Sequence, residues 1–220
     1  VTDKIDARLM ARAGPQLRLI AQFGAGVDNV DVESAVQRGI TVTNTPGVLT
    51  DDTADVAMGL ILSVPRRLFE GADVMEQGGF HGWSPTWMMG RRIAGKRLGI
   101  IGMGRIGQAV AVKAKAFGLN VLASDPVVSA SSVESFGGVL VGLNTLLRES
   151  DFVSLHAPLT PETQGMIGAA ELEVMKEDGF IINAARGPLI DEDALYQALV
   201  NGQIGGAGLD VMVENLPDKS

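Results

Sequence analysis

The sequence predicts an α/β protein, a doubly wound parallel sheet joined to part of a second domain. Three observations predict it. From Arg97 onward, strand-like runs alternate with helix-like ones, which is the rhythm of right-handed βαβ units. The run "LGII" (98–101) leads into Gly102-x-Gly104-x-x-Gly107 and on into the helical pattern "RIGQAVAVKAKAFG". The third is composition. With 220 residues, 46% hydrophobic and 20% charged, the chain can bury a core and is not of the disordered class.

Taken in order, "LRLIAQ" (17–22) reads as a strand ending in the Gly-rich "FGAGVD". "VESAVQRG" (32–39) reads as a short helix and "ITVTN" (40–44) as a strand. A long helical pattern starts at Thr50, with Asp51, Asp52 and Asp55 early and Arg66 and Arg67 late, the order that suits a helix dipole. Pro65 should divide it. Residues 78–95 carry Gly, Trp and Pro without a clean period and read as an arm. Strands are then expected at 98–102, 120–124, 138–141, 151–155, 179–183 and 206–210. Helices are expected at about 105–117, 142–149, 168–176 and 191–201. Residues 1–47, read as two strands and one short helix, are too few for an independent core. They are expected to be part of one domain, with 48–220 forming the doubly wound domain, linking helix and arm included.

Composition excludes several functions. The net charge of −8 and pI of about 4.8 argue against nucleic-acid binding, which needs basic patches. With no cysteine, disulfides, Cys-based zinc sites and a thiol nucleophile are out, and no metal is expected. The longest apolar run, "VAMGLILSV" (56–64), is too short to span a membrane, and no signal peptide is visible. A cytoplasmic protein is expected. The chain begins at Val1 without Met and reads as a fragment.

The glycine motif is the strongest chemical signal, because a strand precedes it and a helix follows. Gly102 permits the tight turn, Gly104 the approach of a pyrophosphate, and Gly107 close helix–strand packing. Arg105 and Ile106 lie between them, at the start of a helix whose free N–H groups attract anions. The next strand ends at Asp125, 21 residues after Gly104, where a carboxylate meets the adenosine ribose. Pro126, Val127 and Val128 follow it, with no base to accept a 2′-phosphate. That favours NAD(H) and leaves NADP(H) as the alternative.

Two more strand ends face the same crevice. "DFVSLHAPLTPET" (151–163) brings His156, Ala157, Pro158 and Thr163 there, with His156 read as a packing or cofactor contact rather than the base. His81, in the arm, is read as a surface or interface residue. "FIINAARGPLIDEDAL" (180–195) ends its strand at Asn183 and brings Ala184, Ala185 and Arg186. A guanidinium there can hold a carboxylate with two hydrogen bonds and polarise the neighbouring carbonyl.

Together "GAGVDNVD", "TDDTADVAMGLIL", "GIIGMGRIGQAVA", "SDFVSLHAPLTPETQGMIG" and "GFIINAARGPLIDEDALYQALVNGQIGGAGLDV" resemble the D-isomer-specific 2-hydroxyacid dehydrogenase family over nearly the whole chain. The arm "GGFHGWSPTWMMG" is most similar to the glyoxylate/hydroxypyruvate reductase branch. The resemblance implies a Rossmann-type cofactor domain, a flavodoxin-like substrate domain, a small 2-oxo or 2-hydroxy acid substrate and a homodimer. It implies that Arg186 binds substrate, that the backbone of Ala25 and Gly26 holds the substrate carboxylate, and that Asp210 lies near the nicotinamide amide. It implies that the arm brings a Trp, here Trp87, to the neighbour's active site. The family's proton donor is a histidine paired with a glutamate. Glu214 is the nearest glutamate to that position, where Asn215 stands, and the histidine is expected beyond Ser220. The chain as given is therefore expected to bind a dinucleotide without turning over. The alternatives are a dehydrogenase for another D-2-hydroxyacid, such as lactate or 3-phosphoglycerate, a formate- or phosphite-type dehydrogenase, and a non-catalytic NAD(H)-sensing regulator on the same scaffold.

Overall fold

The computed structural model describes residues 3–213 and divides into two compact units, Val1–Thr50 and Asp51–Ser220. In the first, α1 (Ala7–Ala13), β1 (Leu19–Ala21), α2 (Val32–Gln37) and β2 (Thr41–Thr43) follow in order. β1 and β2 pair in parallel, Ile20 opposite Val42. Asp6 and Asp31 start the two helices by accepting N–H bonds from Leu9 and Ser34, the usual role of an N-terminal cap. Met10, Ile20, Val30, Ala35 and Ile40 form a small buried cluster. The sequence reading of one short helix in residues 1–47 is corrected here. It missed α1, whose seven residues bury only Met10 and so show no apolar stripe.

The second unit opens with α3 (Thr50–Ser63) and α4 (Leu68–Glu76). Pro65 lies in the turn between them, where Arg67 takes a left-handed conformation at φ 56°. The arm follows without regular structure. A six-stranded parallel sheet comes next, built from β3 (Arg97–Ile101), β4 (Asn120–Ser124), β5 (Gly138–Leu140), β6 (Phe152–Leu155), β7 (Phe180–Asn183) and β8 (Gly206–Leu209). The helices between are α5 (Arg105–Ala116), α6 (Ala130–Ser135), α7 (Leu143–Glu149), α8 (Ala169–Glu173) and α9 (Glu192–Val200). β3 stops one residue early because Gly102 turns to φ +93°. The helix expected over 168–176 closes at Glu173, and the chain then turns into β7 through Gly179, whose N–H bonds the Lys176 carbonyl. α6 was not anticipated, since its "ASSVES" buries only Val133.

Strand order is β5-β4-β3-β6-β7-β8. The chain winds outward from β3 to β5, then returns to β3's other side and winds out to β8. Connections therefore leave β3 and β6 in opposite directions. Such a switch point opens a crevice at the carboxyl ends of the strands. Both faces of the sheet are covered. Leu98 and Ile100 pack with α3 and α5 through Ala54, Ile61, Val110 and Ala114. Ile101, Val153 and Ile181 pack with α7, α8 and α9 through Leu146, Leu172 and Leu195. Strands buried on both sides read as continuous apolar runs. Ser154 in β6 and Asn183 in β7 are buried polar exceptions, and each calls for a hydrogen-bonding reason.

Candidate active site

The three glycines of the β3–α5 turn have three different environments. A Cβ on Gly102 would stand 2.7 Å from the Ala157 nitrogen and 2.8 Å from the His156 carbonyl oxygen. The loop after β6 thus lies directly on the loop after β3. A Cβ on Gly107 would run into the Gly102 carbonyl, whereas one on Gly104 would meet no atom within 4 Å. Two glycines are closed by packing and the middle one borders open space. Gly104 is also the N-terminal cap residue of α5 and brings no capping side chain. The α5 amides are thereby left to an incoming anion. Arg105 is exposed at the first position of α5, the unfavourable sign for a helix N-terminus and the favourable one once a pyrophosphate sits there. Ile106 packs against the core. These residues fit a dinucleotide.

Asp125 does two things in this structure. Its Oδ2 accepts the Met103 N–H at 2.8 Å, and its Oδ1 accepts those of Val127 at 2.8 Å and Val128 at 3.0 Å. Burial pushes the carboxyl up, but the N–H groups of Val127, Met103 and Val128 outweigh it and hold the pKa below its ordinary value. The acid expected to meet the ribose therefore also ties the glycine loop to the end of β4. Gln108 helps from the other side, its Nε2 bonding the Met103 carbonyl at 2.9 Å.

His156 turns back toward its own strand. Nε2 lies 2.9 Å from the Ser154 hydroxyl, which accounts for a buried serine in β6. Nδ1 is buried with no hydrogen-bond partner among the described residues. Burial pushes the pKa down to about 4, so at neutral pH the ring is uncharged. Ala157 is buried and Pro158 exposed. The Thr163 hydroxyl donates to the Pro158 carbonyl at 2.7 Å and accepts the Thr160 N–H at 2.8 Å. Its visible work is to hold the shape of this loop.

At the end of β7, buried Asn183 spans the next three residues. Its Oδ1 accepts the Ala185 N–H at 3.0 Å, and its Nδ2 donates to the Arg186 carbonyl at 2.9 Å. Ala184 is buried. The Arg186 guanidinium is half-buried and donates from Nη1 to the Ala185 carbonyl at 2.8 Å. Gly187 opens a 3-10 turn (Gly187–Leu189), and a Cβ there would overlap the Met212–Val213 peptide. The chain leaving β8 therefore passes directly over the turn that carries Arg186. Glu192 fixes that crossing by accepting the Val213 N–H at 2.6 Å. Asp210 is exposed just past β8, with its N–H on the Asn183 carbonyl at 2.9 Å.

The carboxyl ends of β3, β4, β6, β7 and β8 share one edge of the sheet. That edge carries the glycine loop, Asp125, His156 to Pro158, Ala184 to Arg186, and Asp210. The arm bearing Trp87 is anchored at the opposite edge, where Arg91 pairs with Asp178 at 2.6 Å and Gly95 N–H bonds the Gly118 carbonyl. Trp87 itself packs on Phe80, with ring centroids 5.6 Å apart. Glu214 and Asn215 lie outside the described residues. In the first unit, the Asn44 amide donates to the Ala25 carbonyl at 2.7 Å. Because a trans peptide opposes its C=O and N–H, the Gly26 N–H points away from Asn44. Sequence reasoning missed Asn183, Ser154 and Gln108 as organisers of the site. Buried polar residues in apolar strands were the signal available for the first two.

The NAD binding domain signature of the D-isomer specific 2-hydroxyacid dehydrogenases matches residues 58–220. That match covers well over half of the chain and includes every strand of the large sheet. The chain belongs to the D-isomer specific 2-hydroxyacid dehydrogenase family. A glyoxylate reductase of Thermococcus litoralis is 49% identical over 218 residues, 97% of this chain and 66% of that protein. The crystal structure of a Thermus thermophilus protein superposes with a TM-score of 0.91 at 45% identity, covering 99% of this chain and 68% of that one. A D-lactate dehydrogenase of Aquifex aeolicus, solved with NAD and lactic acid, gives 0.89 at 37% identity, covering 97% of this chain and 63% of that one. The chain spans 64–66% of the length of the curated glyoxylate reductases it matches. Within this dehydrogenase family, the six-stranded sheet is the nicotinamide-dinucleotide domain.

Proposed function

We propose that this chain forms the NAD(H) domain and part of the substrate domain of a reductase for a small 2-oxo acid, glyoxylate or hydroxypyruvate. The observation that carries the reading is Arg186, set by a buried side chain on the same sheet edge as the open Gly104 turn. When bound, the nicotinamide supplies the hydride. Gly104, Arg105 and the α5 amides hold the pyrophosphate, and Asp125 takes the ribose hydroxyls, which selects NAD(H) over NADP(H). Arg186 binds the substrate carboxylate and draws charge from the ketone oxygen. By the family resemblance, the amides of Ala25 and Gly26 are assigned to holding a substrate carboxylate, and Asp210 to orienting the nicotinamide amide. His156 is not assigned as the proton donor, because burial keeps the ring neutral at pH 7 and a neutral imidazole is a far weaker acid than an imidazolium. We assign the donor to a histidine outside this sequence, partnered by Glu214. The division at 47/48 into substrate and cofactor domains, the cytoplasmic location and a homodimer formed through the arm, with Trp87 reaching the neighbour's site, belong to the same reading.

The deciding experiment follows NADH oxidation at 340 nm by the full-length protein with glyoxylate, hydroxypyruvate and pyruvate. Turnover with glyoxylate or hydroxypyruvate ahead of pyruvate supports the reading. Tight NADH binding without turnover on any of them transfers the protein to the regulatory alternative. Arg186→Lys should cut turnover about 100-fold and leave NADH affinity intact, because an ammonium cannot reproduce the planar fork. Wild-type rates in that variant would remove Arg186 from the mechanism.

A further inference from the structure

Arg186 has to hold one position at the tip of a loop, and loops are poor places to hold anything. The structure contains a device for it. Asn183 is only 1% exposed, in a strand whose other members are Phe180, Ile181 and Ile182. Its carboxamide turns out of the strand and along the following loop. The acceptor takes the Ala185 N–H and the donor takes the Arg186 carbonyl. The carbonyl of Ala185 receives the Arg186 guanidinium. Residues 185 and 186 are thus bracketed on both sides by one rigid group, and the guanidinium rests on the peptide so fixed.

We propose that Asn183 is a positioning residue, whose buried carboxamide sets the loop that aims Arg186 at the substrate. The inference rests on the 2-oxo acid reductase reading given above. Only an amide serves in this place. The device needs one donor and one acceptor on a short stem. An ionised aspartate offers acceptors only and would face the Arg186 carbonyl with a lone pair. An aliphatic side chain would take the partner from the Ala185 N–H in a part-buried loop and leave the Arg186 carbonyl to the Leu189 N–H alone. Asn183 touches neither cofactor nor substrate in this account and acts through the Ala185 N–H and the Arg186 carbonyl on the loop that carries Arg186.

A double-mutant cycle on the full-length protein tests this. Asn183→Ala, Arg186→Ala and the double variant are compared with wild type for kcat/KM toward glyoxylate, for NADH dissociation constant by fluorescence and for melting temperature. Asn183→Ala should lower kcat/KM about 100-fold, the cost of a misplaced binding group. Its NADH dissociation constant should stay within about 3-fold of wild type. In the Arg186→Ala background the same change should cost less than about 3-fold more, because the group it positions is gone. Equal losses in both backgrounds overturn the proposal, and so does an Asn183→Ala rate within about 3-fold of wild type. Should Asn183→Ala fail to fold, Asn183→Asp keeps the size and the acceptor, loses the donor, and enters the same cycle with the same expectation. A wild-type protein that turns over no 2-oxo acid overturns the reductase reading and this inference with it. Turnover with additive losses overturns the inference alone.

Discussion

At the scale of the residue, the ribose role proposed for Asp125 would tie cofactor preference to stability. Replacing it with Ala and placing Arg at Val127 should move preference toward NADPH, since a carboxylate is removed and a phosphate partner gained. The same change removes the acceptor for the backbone N–H groups of Met103, Val127 and Val128. The variant should therefore lose about 1–3 kcal/mol of stability, read as a lower denaturant midpoint. Unchanged NADH/NADPH selectivity would sink the ribose assignment. His156 gives a pH prediction with a definite sign. Its folded pKa is near 4 because of burial, below the ordinary value near 6.5. Between those two values the unfolded chain binds more protons than the folded one. Stability then rises with pH across that window and falls as pH drops from about 6.5 toward 4. His156→Gln should flatten this part of the melting-temperature profile. An equally steep slope in the variant would mean that another group carries it.

At the scale of the element, the β3–α5 turn separates packing from binding. Gly107→Ala drives a methyl into the Gly102 carbonyl and should destabilise the unit by about 1–3 kcal/mol or more, as overpacking does. Gly104→Ala meets nothing within 4 Å at a φ of −70°, so the fold should stand. If Gly104 borders the pyrophosphate as proposed, the methyl takes that space and the NADH dissociation constant should rise on the order of 10-fold. Melting curves and fluorescence titrations of both variants check this, and a stable Gly107→Ala with normal NADH affinity would contradict the assignment. This turn was legible in sequence because glycine spacing, strand and helix all coincide within ten or so residues. The inner strands β3, β4, β6 and β7 were legible because burial on both faces makes them mostly apolar, and the edge strands β5 and β8 because they fall in the same strand–helix rhythm. α1 and α6 were not, each burying a single side chain, although α2 and α8 also bury one each and were read from their place between strands. The links that shape the site were not legible either. The tie from Met103 to Asp125 crosses 22 residues, and the one from Val213 to Glu192 crosses 21. Nothing in local spacing announces such pairs. Arg186 was visible as a charge after an apolar run, whereas Asn183 read only as the strand's end.

At the scale of the whole molecule, the outstanding feature of the second unit is apolar surface that its own core leaves uncovered. α4 has nine residues and buries none of them. Leu68, Phe69 and Met75 stand 56%, 61% and 64% exposed, and Trp83 on the arm 82%. A helix this short is not stable in water by itself, and three large apolar side chains left exposed on it suit an interface. We propose that a second copy of the chain covers α4 and the arm. The full-length protein should then run as a dimer in light scattering. Phe69→Asp should give a monomer that still binds NADH, because the glycine loop and Asp125 lie on the sheet and not on α4. Each copy of this chain carries a net charge of −8, so bringing two together works against repulsion that salt screens. An apolar seam between two acidic copies should therefore tighten as salt is raised. An interface held by ion pairs would loosen instead. Dissociation constants measured at low and high salt separate the two, and a wild-type monomer at micromolar concentration would refute the dimer altogether.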